Sequence, residues 1–185
     1  LAEPEVTKTV IETFVKEINR LTIQDRGVAE IQSSIRLKDT RPFVAKEQSF
    51  YVPQKSVFNK IIGDSQLELK FASFLDNCPD VIAYAKNYFA VHFTLDYVSS
   101  KGNISNYYPD FIVKLDDNTV VIAETKGLED IDVPLKMARL EKWCEDINAM
   151  QKATRFDYVF VDEEDFDKYK PSSFEMLLKI CRKYK

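Results

Sequence analysis

The chain is poor in the residues on which several kinds of chemistry depend. It has one histidine, His92, among 185 residues. A histidine-rich metal centre is therefore excluded, and a Ser-His triad has no spare candidate for its base. His92 stands in the apolar, strand-like run Phe89-Ala90-Val91-His92-Phe93, where it reads as a structural residue. There are three cysteines, an odd number, far apart and with no C-x-x-C pair. Cys78, Cys144 and Cys181 read as small buried apolar residues in a reducing compartment, not as disulfides or zinc ligands. Only four glycines occur, and there is no long polar low-complexity tract, so order is expected along most of the chain. No apolar run is long enough to span a membrane, and no membrane partner is expected. The opening Leu1-Ala2-Glu3-Pro4 lacks a basic-then-apolar leader pattern and an initiating Met; the expectation is a piece of a longer protein.

Lysine and arginine number 26 against 30 aspartate and glutamate, a net charge of −4. That balance argues against a free-standing, tight nucleic-acid binder, because the phosphate backbone repels it. It does not argue against phosphate chemistry, since metal-binding carboxylates themselves add negative charge.

Residues 5–22 read as an amphipathic helix, with Val6, Val10, Ile11, Phe14, Val15, Ile18 and Leu21 at three- and four-residue steps and Pro4 at its first turn. Val28, Ile31 and Ile35 suggest a second, shorter helix. From Asp39 to Asn59 the pattern weakens around Pro42 and Pro53, as in a connector or extended arm. A boundary near Asn59 to Gly63 divides a helical extension or linker, residues 1–60, from a domain at 61–185. Within that domain the reading is a helix at Ser65–Asp76, a strand at Tyr88–Val98, turn chemistry at Ser99–Asn103, and strands at Tyr107–Leu115 and Thr119–Lys126. A helix at 133–151 follows with the stripe Leu140, Trp143, Ile147 and Met150, then a strand at Phe156–Val161 and a helix from about Pro171. Helix, three strands, helix, strand, helix predicts an α/β domain with a mixed central sheet flanked by helices.

The informative segment is Tyr108-Pro109-Asp110-Phe111-Ile112-Val113, a short turn at Asp116-Asp117-Asn118, then Val120-Val121-Ile122-Ala123-Glu124-Thr125-Lys126-Gly127. Residues two apart on a strand point the same way, so Glu124 and Lys126 continue the apolar face of Val120 and Ile122. Asp110 shares a face with Ile112 on the paired strand. Isolated charges on such a face cost on the order of several kcal/mol unless paired or bound to a metal. The residue types suit phosphodiester hydrolysis. Two carboxylates offer hard oxygens to Mg²⁺, or to Mn²⁺ in its place, and a lysine can orient the attacking water and stabilise developing charge.

Pro109-Asp110 followed by Glu124-Thr125-Lys126 resembles the PD-(D/E)xK nuclease motif. The wider text is similar to the C-terminal endonuclease domain of type III restriction enzyme restriction (Res) subunits. It runs through Gly63-Asp64-Ser65, Tyr84-Ala85-Lys86-Asn87-Tyr88, Leu95-Asp96-Tyr97, Tyr108-Pro109-Asp110 and Glu124-Thr125-Lys126-Gly127 to Trp143-Cys144. The resemblance implies a restriction-endonuclease-like fold, with Asp110 and Glu124 as metal ligands and Lys126 as the catalytic lysine. It also implies double-stranded DNA as substrate, a helicase-like motor in the same polypeptide, a methylation subunit as partner, and the cytoplasm of a prokaryote. No G-x-x-x-x-G-K-[ST] loop occurs, so ATP would act only through a motor absent from this chain.

Other residues have two readings each. Glu68 matches a further metal ligand that the family often places on this helix, and equally the capping box Ser65-Gln66-Leu67-Glu68. Lys136, Arg139 and Lys142 are candidate phosphate contacts, against the default of a solvated helix face. Tyr107 and Tyr108 are candidate cleft residues, against plain strand packing. The run Asp162–Asp165 reads as a helix start. The alternative function is a non-catalytic nuclease-fold module that docks the motor to a partner subunit through residues 1–60. From its charge, the isolated chain should bind random duplex DNA more weakly than about 1 µM at physiological salt. Fluorescence anisotropy checks this, and a tighter complex would mean that charge segregates strongly on the folded surface.

Overall fold

Val120, Val121, Ile122 and Ala123 form an unbroken apolar run, the composition of a strand covered on both faces. In the computed structural model, which describes residues 4–22, 29–44, 49–127 and 131–181, that run is the heart of β7, Thr119–Lys126. β7 pairs antiparallel with β6, Phe111–Asp116, and parallel with β8, Arg155–Asp162. β3, Ala83–Lys86, adds to the far side of β6, giving a four-stranded mixed sheet in the order β3-β6-β7-β8. Two small antiparallel pairs accompany it. One joins β1, Phe50–Tyr51, to β2, Ile61–Ile62, so the expected boundary near residue 60 falls between two paired strands. The other joins β4, Leu95–Val98, to β5, Ile104–Tyr107.

Helices cover both faces. α2, Gln66–Asn77, begins where the Ser65 hydroxyl accepts the Glu68 N–H at 3.2 Å. It ends at Cys78, ahead of Pro79. Gly63 precedes it, and a Cβ there would stand 2.8 Å from Ser65 O and Leu69 Cγ. Leu67, Phe71, Ala72 and Leu75 of α2 pack on Phe111, Val113, Val121, Ala123, Val159 and Val161, the odd-numbered face of the sheet. α4, Glu163–Tyr169, and α5, Phe174–Ile180, close this side through Phe166, Phe174 and Leu177. On the even-numbered face, α3, Val133–Met150, lays Val133, Met137, Leu140 and Cys144 over Ile122, Tyr158 and Phe160, with Leu95 and Tyr107 of the β4–β5 hairpin beside them. The apolar stripe thus turns toward Met137 and Cys144, and Trp143 and Ile147 are half-buried on its flank. All three cysteines are buried and free.

α1, Pro4–Thr22, forms as its periodicity predicts, but its apolar residues Val10, Ile11, Phe14 and Ile18 are exposed. The helix expected over Val28, Ile31 and Ile35 does not form over residues 29–36, where only a 3-10 turn at Leu37–Asp39 follows; Val28 lies outside the described residues. Ile31 and Ile35 are exposed, so helical spacing has no surface there to repay nucleation. The single strand expected from Tyr88 to Val98 is a 3-10 turn, Phe89–Val91, followed by β4. His92 is the corner: it adopts φ 62°, in the left-handed region, and is exposed at the end of that turn. The strand expected from Tyr107 to Leu115 is divided at Tyr108-Pro109-Asp110, because Pro109 has no N–H for a ladder. The last helix starts at Phe174, not Pro171, where Asp80 accepts the N–H groups of Phe174 and Glu175 at 2.9 and 2.7 Å. The acidic run does start a helix: Asp162 caps α4 by accepting the Asp165 N–H at 3.0 Å. Among the described residues, no helix is long and apolar enough to cross a membrane.

Phe71 is fully buried and its ring meets those of Phe74, Phe111 and Phe166. Phe71→Ala is expected to lower unfolding stability by about 3–5 kcal/mol, measured by urea titration.

Candidate active site

The site is built where β6 and β7 run out of paired rungs. Their register ends at Ile112↔Ile122 and Phe111↔Ala123, so Asp110 and Glu124 stand opposite one another one step beyond. By alternation Glu124 continues the even-numbered face, the side of α3, while Asp110 lies just outside β6 and its carboxylate reaches Thr125. Asp110 is tied down by Thr125, whose backbone N–H and side-chain hydroxyl both donate to Asp110 Oδ2, at 2.8 and 2.7 Å. Glu124 is buried and accepts the Tyr107 hydroxyl at 2.9 Å on Oε2. Lys126 lies two residues further along the same face, half-buried, at the last position of β7.

Electrostatics make this corner unusual. Burial pushes the Glu124 carboxyl well above the ordinary carboxylate range, and the neighbouring Asp110 pushes it further. Tyr107, Lys136 and Lys126 pull the other way without cancelling the effect. Burial also raises Asp110, opposed chiefly by Lys86 and the Thr125 N–H. Tyr107 is raised well above a free phenol by burial and by Glu124.

The structure brings the Asp110, Glu124 and Lys126 set together, with Lys136 of α3 near enough to act on Glu124. It does not bring Arg139 or Lys142 there. Arg139 Nε donates to Asp96 O at 3.0 Å, and Lys142 pairs with Asp146 at 2.9 Å. Tyr108 is half-buried, with its ring edge-on to the exposed Phe89 at 4.7 Å. Glu68 satisfies both of its sequence readings only in part. Its N–H is capped by Ser65, and its Oε2 accepts the Asp64 N–H at 3.0 Å, one residue before the position a capping box would use. The same oxygen receives the Lys86 ammonium. Among the described residues, no group of three or more His, Cys, Asp or Glu side chains is placed to hold a metal ion, though Glu68 is near enough for its charge to raise Asp110.

Three contributors, Lys86, Asn87 and Thr125, were not expected as site residues, and Tyr107 was expected only as a cleft residue. Lys86 is buried on β3 and is held charged, since Asp110, Glu68 and Asp64 outweigh the pull of burial toward the neutral form. Its signal was a lysine inside the aromatic run Tyr84–Tyr88. Asn87 clamps the break before β6: its side-chain amide donates to Pro109 O and Phe93 O, each at 2.8 Å, and its N–H to Asp110 O at 2.7 Å. Thr125 and Tyr107 hold the two carboxylates, and neither role has a local sequence signal.

Residues 54–144 match the model of a family described as an endonuclease domain. The matched span, just under half of the chain, includes Glu68, Lys86, Asp110, Glu124 and Lys126. No curated protein and no solved structure matches the chain. The mixed sheet with helices on both faces is a restriction-endonuclease-like fold.

Because the folded-state pKa values of Asp110 and Glu124 are raised, the folded chain binds protons more tightly than the unfolded chain. That contribution is present below the ordinary carboxylate range and is lost as pH rises through the raised values. In chelator-treated buffer, the melting temperature of the wild type should therefore fall relative to Glu124→Gln as pH rises above the ordinary carboxylate range. Parallel melting profiles for the two proteins would show that Glu124 is not desolvated as described.

Proposed function

We propose that this chain is a metal-dependent endonuclease domain that hydrolyses DNA phosphodiester bonds as part of a type III restriction-modification enzyme. The carrying observation is the facing pair Asp110 and Glu124, two carboxylates held side by side at the open end of an apolar sheet with Lys126 beyond them. Such a pair fits Mg²⁺, with Mn²⁺ as a substitute, since this ion commonly takes one or two carboxylates and fills its other positions with waters and phosphate oxygens. When bound, the ion supplies Lewis-acid polarisation of the phosphate and a more acidic water.

The residues of the chain divide the remaining tasks. Thr125 and Tyr107 each hold one oxygen of a carboxylate and so orient both. Lys126 orients the attacking water and stabilises charge that develops on the phosphate. Lys136 adds positive charge on the α3 side of Glu124. Tyr108, with Phe89, offers an aromatic edge to the duplex. The motor of the same polypeptide supplies ATP-driven engagement of DNA, and a methylation subunit completes the enzyme in the cytoplasm. The exposed apolar stripe of α1 favours a docking role for residues 1–60 as well. Docking without catalysis, the second reading, gives no account of two opposed carboxylates, one buried and one half-buried.

Asp110→Ala, Glu124→Ala and Lys126→Ala, each placed in the complete motor-bearing enzyme, should cut plasmid DNA roughly 10²-fold more slowly or worse. ATP hydrolysis should persist. A variant that cuts near the wild-type rate removes its residue from the site, and three such variants establish the docking reading.

A further inference from the structure

Lys86 is the buried charge that the proposed reaction leaves unused. It lies on β3 opposite Phe111, on the odd-numbered face of the sheet, where α2 packs. Its ammonium meets Glu68 Oε2, stands 3.8 Å from Asp64 Oδ2, and lies 5.6 Å from the Phe111 ring and 5.9 Å from the Tyr88 ring. Both Lys86 and Glu68 are buried, and Asp64 is exposed. Asp110 is held beside them, because Asn87, the next residue, donates its N–H to Asp110 O at 2.7 Å. Glu68 and Asp110 are like charges that repel, and Lys86 attracts both. With Lys86 present the buried Glu68 carboxylate is held, since a desolvated ion pair is broken only at high cost; without Lys86 it would be an uncompensated buried charge that a cation at Asp110 could satisfy.

We propose that Lys86 is a built-in counter-cation and a positioning residue: it engages Glu68 from the α2 side and leaves a divalent cation to Asp110 and Glu124 alone. This rests on the metal-centre reading above and adds to it which carboxylates are taken and which one is withheld. An ammonium does at the Glu68 position what a second cation would otherwise do, without loss to solvent or chelator. The surrounding shell of a metal site commonly changes affinity by about ten- to a hundredfold.

The test is isothermal titration of the metal-free chain with Mn²⁺ across a double-mutant cycle. Lys86→Met frees the Glu68 carboxylate and should tighten Mn²⁺ binding by about tenfold or more. Glu68→Gln leaves the ammonium facing Asp110 alone and should weaken binding by a similar factor. The double variant Lys86→Met/Glu68→Gln removes both charges with little change of shape, and should fold even where the single Lys86 variant does not. It decides the matter: Mn²⁺ affinity within about threefold of wild type supports the proposal. A double variant weakened about tenfold or more makes Glu68 a ligand and overturns it. Asp110→Asn separates the two levels. Loss of Mn²⁺ binding in that variant keeps the metal-centre reading whatever the cycle shows. A wild-type chain that binds no Mn²⁺ overturns that reading and this inference with it.

Discussion

Two carboxylates side by side at the edge of an apolar sheet impose the constraint from which the rest of the site follows. Asp110 and Glu124 are set opposite one another by strand register, which neither side chain chooses. Each is desolvated, and each raises the cost of charging the other. Around them the chain has collected donors and positive charge: Thr125 on one, Tyr107 on the other, and Lys86, Lys126 and Lys136 at longer range. Glu124 stays raised even so, because burial and Asp110 outweigh Tyr107, Lys136 and Lys126.

Asp110 stands between two groups of charges. Alternation along β7 puts Glu124 and Lys126 on the α3 side and Lys86 and Glu68 belong to the α2 side, while Asp110, just outside β6, bonds Thr125 and feels Lys86 and Glu68 as well as Glu124. The β6–β7 ladder ends where polarity begins, and β7 continues through Glu124, Thr125 and Lys126 paired with β8, so apolar packing of Ile112, Ile122, Phe111 and Ala123 fixes the charged groups just beyond it. This makes the site a property of rigid elements. At the site end of the ladder, the break at Pro109 and the Asn87 clamp set the position of Asp110.

Much of this was legible in the chain itself. β7 was expected at Thr119–Lys126 and lies there, because a run of β-branched and apolar residues between an Asp-Asp-Asn turn and a glycine leaves little choice. α1, α2 and α3 followed from three- and four-residue spacing. The failures differ in cause. Phe89, Val91 and Phe93 have the composition of a strand, and Val91 is buried and Phe93 packs on Trp143, but the chain turns a corner at His92 and leaves Phe89 76% exposed. Ile31 and Ile35 have helical spacing but stay exposed. There, local pattern promised burial that tertiary contacts did not supply.

The sequence alone determined which residues could do chemistry: a carboxylate after a proline, then a carboxylate and a lysine two apart at the end of an apolar strand. Period-two alternation is local, so it specifies a shared face without reference to the remainder of the fold. Only the tertiary structure decided the company those residues keep. Glu68 and Lys86 are 18 residues apart and Tyr107 and Glu124 are 17 apart, and no spacing rule joins them. Their meeting depends on how α2 and the β4–β5 hairpin dock against the sheet, where apolar packing chooses the position and buried polar groups must then find partners where they stand.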